Sequence, residues 1–70
     1  MQLATFRDLN KVTLQAMGER CGVTASTIAK WERGACFPRP EQLDAIERTT
    51  GGEVTAADLL ACYRAANAPA

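Results

Sequence analysis

The stretch "CGVTASTIAKWERG", Cys21 to Gly34, decides how this chain folds. Gly22 is placed to end one helix, since glycine enters the left-handed backbone region without steric cost. Thr24 is a natural cap for the next helix, Ala25 to about Arg33, which Gly34 stops. Only the minimal turn "CGVT" joins the two helices, and a glycine-containing connection this short favours a steep crossing. Such packing needs a small residue on the preceding helix, and Gly18 supplies it. Ile28 and Trp31, three apart, point back to the core. Ala25, Ser26, Thr27, Ala29, Lys30 and Arg33 are left to face outward.

Working outward from this pair, apolar spacing and capping signals predict five short helices and no strand. The first covers Leu3 to Leu9, with Leu3, Phe6 and Leu9 on one inward face. The second follows Thr13 and turns Leu14, Met17, Gly18 and Cys21 inward. After the "ACFPRP" loop, Pro40 opens a fourth helix to about Thr50, with Leu43, Ile46 and Thr50 inward. "TTGGEVT" breaks it. Thr55 then caps a fifth helix, with Asp58 three residues later in place of the usual Glu or Gln of a capping box. The expected fold is all-α, a compact five-helix bundle forming one domain over residues 1–66, with residues 67–70 a frayed tail.

Seventy residues with 47% apolar content suffice for one small self-supporting core. No apolar run approaches the roughly 20 residues that span a bilayer, and the N-terminus carries no charged-then-apolar export signal. A cytoplasmic location is expected, without membrane association. Cys21, Cys36 and Cys62 have neither disulfide nor metal spacing, and no histidine completes a ligand set. They read as reduced thiols acting as small hydrophobes. No metal, cofactor or small-molecule ligand is expected. Glu41, Asp44 and Glu47 share one face of the fourth helix and read as a solvated surface rather than a carboxylate site. Without histidine, a phosphate loop or a base beside any cysteine, the chain shows no enzyme chemistry.

The formal net charge of zero conceals an asymmetry. Up to Pro40 there are six basic residues (Arg7, Lys11, Arg20, Lys30, Arg33, Arg39) against three acidic (Asp8, Glu19, Glu32). From Glu41 onward, Arg48 and Arg64 stand against Glu41, Asp44, Glu47, Glu53 and Asp58. One half suits a polyanion and the other does not. The outward set of the third helix suits a DNA major groove, which admits one α-helix if its leading side chains are short. Ala25, Ser26 and Thr27 allow close approach to base edges, and Lys30 reaches a guanine or a phosphate. The amides near Thr24 and Ala25 can bind a backbone phosphate. Arg33 and Arg39 would neutralise others.

The small-residue, glycine-turn, Val-Thr, Ile, Trp-Glu-Arg-Gly pattern resembles the helix-turn-helix of the phage Cro/repressor type, also called Xre-like. "RPEQLDAIERTTGGEVTAADL" is similar to the fourth helix and following turn of a small subgroup of that family, so the resemblance covers about Thr5 to Leu60. It implies that Thr24, Ala25, Ser26, Thr27 and Lys30 face the groove, that Arg33 lies near the backbone, and that Glu32 helps fix the end of the third helix. The family often starts its second helix with a phosphate-binding glutamine, where this chain has Leu14. Either Gln15 supplies that contact from the neighbouring position, or it is missing. The implied function is sequence-specific binding of double-stranded DNA in a bacterial or prophage setting. Transcription would be regulated, most simply repressed, by a homodimer on a twofold-symmetric operator. Val54, Leu59, Leu60 and Tyr63 are the expected dimer contact; otherwise they cap the core. The alternative is a protein-interaction module on the same fold, antitoxin-like or polymerase-recruiting.

Overall fold

The chain folds into five helices, three of them started by hydroxyl caps and two ended by glycine, in a computed structural model that describes residues 1–69. They are α1 (Leu3–Leu9), α2 (Leu14–Cys21), α3 (Ala25–Arg33), α4 (Pro40–Thr49) and α5 (Ala56–Ala66). The described residues contain no strand. At the start of α2, Thr13 Oγ1 accepts the Ala16 N–H at 3.0 Å; at α3, Thr24 Oγ1 accepts that of Thr27 at 3.2 Å. At α5, Thr55 Oγ1 accepts the Asp58 N–H while Asp58 Oδ2 accepts that of Thr55 at 3.0 Å. Asp58 thus completes the reciprocal cap that a longer Glu usually makes. Gly22 and Gly34 end α2 and α3 at φ of 75° and 73°. There a side chain would be strained.

The core takes one or two large apolar residues from each helix, with Val12 and Val54 added from the connecting segments. Met17, Ile28, Ile46 and Val54 are wholly buried, with Leu3, Trp31 and Leu59 packed among them. Thr50 is the one buried polar side chain among the described residues. Its hydroxyl donates to Ile46 O at 2.8 Å and accepts the Val54 N–H at 3.2 Å, linking the end of α4 to the segment entering α5. No buried side-chain polar atom among the described residues lacks a partner.

Several expectations are corrected by this packing. Leu9 is 67% exposed rather than inward, because α1 ends there and the chain turns through Lys11 at φ 53°. Val12 takes the core place instead. Leu43 does face inward as expected, half-buried and packed against the core. Cys36 is exposed in the α3–α4 loop, so only Cys21 behaves as a small buried hydrophobe. Val54 and Leu59 expose 0% and 3%, which removes both from any surface a dimer partner could touch. Asn67, expected in a loose tail, donates through Nδ2 to Gly34 O at 3.0 Å and Tyr63 O at 2.7 Å. Ala70, the last residue of that expected tail, lies outside the described residues.

Candidate nucleic-acid interface

Three neighbours hold α3 in place. On one side α2 lies so close that a Cβ on Gly18 would stand 2.6 Å from Val23 O and 3.0 Å from the Thr24 carbonyl carbon. No side chain fits there. From α1, Arg7 Nε reaches Glu32 Oε2 at 2.7 Å and Nη2 reaches Oε1 at 3.2 Å, while Nη1 donates to Val12 O. This forked pair uses the planar geometry that guanidinium and carboxylate share. At the other end, α5 caps the last carbonyls of α3: the Cys62 thiol donates to Glu32 O at 3.3 Å and Asn67 to Gly34 O. A Cβ on Gly34 would meet Ala66 Cβ at 2.7 Å, so α5 too is in close contact.

With Ile28 and Trp31 buried, the opposite face of α3 carries Ser26, Lys30 and Arg33, all exposed. Their spacing of four and three aligns them along one ridge. Ala25, Thr27 and Ala29 flank it, half-buried. Thr24 is exposed, and its hydroxyl lies 3.0 Å from that of Thr27. The Thr27 side chain is therefore already partly committed within the helix start. At that start the first N–H groups project beyond the helix, where anions are favoured.

Gln15 is exposed in the first turn of α2, and Arg39 is exposed at the N-cap of α4. Of the six basic residues up to Pro40, Arg7 is committed to Glu32. The other five are exposed and have no ion-pair partner among the described residues. On α4, Glu41, Asp44 and Glu47 are all exposed, as expected of a solvated face.

Of the expected dimer residues only Leu60 and Tyr63 remain partly open. The Tyr63 ring meets Phe37 edge-on, with centroids 5.7 Å apart and an interplanar angle of 62°. Phe37 is 37% exposed, and the sequence reading passed over it as part of a proline-flanked loop. The Arg7–Glu32 pair was also missed. Opposite charges 25 residues apart give no sequence signal of contact.

No helix among the described residues is long and apolar enough to cross a membrane. Comparison with curated proteins and with solved structures returns no match. A family profile of the helix-turn-helix domain matches residues 1–60. That span holds α2, the glycine turn and α3 with their packing partners, and the chain belongs to the helix-turn-helix domain family, a family of DNA-binding domains.

Proposed function

We propose that the protein is a sequence-specific regulator of transcription of the Cro/repressor type, with α3 lying in the DNA major groove. The observation that carries this reading is the exposed face of α3. Short side chains lead it, Lys30 and Arg33 follow on one ridge, and the buried face is locked by α1, α2 and α5. Ser26 with Ala25 and Thr27 approaches base edges, and Lys30 reaches a guanine or a phosphate. Gln15, Thr24, Arg33 and Arg39 contact the backbone and set the register without reading sequence. Bound across a promoter, the protein represses by excluding polymerase.

A domain this small, with five unpaired cations up to Pro40 among the described residues, has a narrow footprint, so the protein acts as a homodimer on a twofold-symmetric operator. Its two recognition helices enter successive grooves about 34 Å apart. With Val54 and Leu59 buried, the dimer contact is reassigned to Leu60 and Tyr63, extended by Phe37.

The test is a mobility shift on the DNA upstream of the protein's own gene. Lys30→Ala combined with Ser26→Ala is expected to abolish preference for that DNA over an unrelated duplex. Retained preference would show that α3 is not the reading helix.

A further inference from the structure

A groove of about 580 Å³ opens between α1, α3 and α5, beside the C-terminal end of α3. Buried Leu3, Trp31 and Leu59 form its apolar base. It stays open because Ala4, Ala65 and Ala66 line it where larger side chains would fill it. Along α5 it extends from Leu59 to Ala66, about two helical turns.

Two charged residues border the groove, Glu32 and Arg33, and their situations differ. Glu32 is neutralised by Arg7 through both carboxylate oxygens. Arg33 is exposed and has no ion-pair partner among the described residues. The groove therefore offers apolar surface beside one uncompensated positive charge. An occupant matching both carries apolar side chains with a carboxylate next to them. A two-turn groove open along a helix suits an amphipathic helical segment, whose apolar residues recur every three or four positions.

We propose that this groove docks an acidic, apolar-anchored segment of a partner protein, and that docking and DNA binding exclude each other at Arg33. The exclusion rests on the DNA-binding reading of α3; the docking does not. Arg33 carries a single positive charge, so a carboxylate seated on it cancels the attraction it holds for a phosphate. The partner is thus an antagonist that releases the protein from DNA.

Trp31 is the sole tryptophan and lines the groove, so intrinsic fluorescence reports occupancy without DNA. The probe is an acetylated amphipathic peptide of Leu and Glu at helical spacing, with its Leu/Lys counterpart as control. The Leu/Glu peptide is expected to give a saturable spectral shift and the Leu/Lys peptide none. Arg33→Ala should weaken binding about tenfold, the loss of one charge-assisted contact. Ala65→Phe, at an exposed position, should fill the groove and abolish the shift while leaving the thermal midpoint and DNA binding unchanged. Equal binding of both peptides, or binding that survives Ala65→Phe, overturns the docking. So does self-association in sedimentation that Ala65→Phe removes, which would make a second copy the occupant. In mobility shifts the Leu/Glu peptide should release wild-type protein from DNA but not the Ala65→Phe variant. Saturable peptide binding without release overturns the exclusion alone. Saturable peptide binding by a protein that shifts no DNA places the failure in the reading of α3.

Discussion

Glu32 stands between Trp31 in the core and Arg33 on the outer face, and its carboxylate crosses to Arg7. That hydrogen bond is the main reason the Arg7 guanidinium holds its proton more firmly than usual. The two side chains are only 21% and 11% exposed, so solvent screens the pair less than a surface ion pair. Glu32→Ala leaves a half-buried guanidinium without its acceptor and should cost about 1–3 kcal/mol in urea unfolding. A double-mutant cycle with Arg7→Ala should return a large part of that as coupling; simple additivity would mean the pair contributes nothing jointly. Gly18→Ala is the sharper steric case. Its Cβ meets backbone rather than a movable side-chain tip, so a loss of about 1–3 kcal/mol is expected as the turn is pushed away from α2. The thiols should separate by rate with a disulfide reagent. Exposed Cys36 reacts first, and Cys21 last, its access blocked and its pKa pushed up by burial. Comparable rates at Cys21 and Cys36 would contradict the packing described.

At the scale of the helix, boundaries were legible because they are set locally. Thr13, Thr24 and Thr55 each bond an amide three residues on, and Gly22 and Gly34 stop helices through their own backbone freedom. Which turn of a helix the core covers is not local. Leu9 fits the inward period of α1, yet nothing packs over the last turn, whereas Val12 beyond the helix is covered. The cap of α5 also carries a pH dependence. The Met1 amine, at 2.7 Å, is the main influence holding the Asp58 carboxyl below its ordinary value of 3.8, assisted by the Thr55 N–H. Because the unfolded chain takes up that proton more readily, the contribution is complete above the ordinary value. It is lost as the pH falls through the lowered one. Thermal midpoints followed from about pH 5 to about pH 2 should therefore fall more steeply for wild type than for Asp58→Asn. Parallel curves would remove Asp58 from the acid limb.

At the scale of the whole molecule, the radius of gyration is 11.1 Å, near the roughly 11 Å expected for one folded body of this length. One side of that body exposes the α3 ridge, the face proposed to meet DNA. Arg33→Ala should weaken binding to all sequences alike and reduce the salt slope by about one unit, as the loss of one phosphate contact requires. Loss confined to one DNA sequence would make Arg33 a base reader instead. The dimer reading places Leu60, Tyr63 and Phe37 at the twofold contact. Leu60→Asp is expected to convert a palindrome-bound dimer to monomer in sedimentation, and a wild-type monomer on palindromic DNA would end that reading. By itself the sequence determined the five helices, the glycine turn and the exposure of Ser26, Lys30 and Arg33 on α3, because caps, stops and helical period act within a few positions. Ala25, Thr27 and Ala29, read as outward, are half-buried. Only the tertiary structure decided that Val54 and Leu59 are buried in the core, and that the Arg7 guanidinium pairs with Glu32. It alone showed that Cys62 and Asn67 hold the end of α3, about thirty residues back along the chain. Those outcomes depend on which helices meet, and no local rule of spacing or propensity encodes a contact made across the fold.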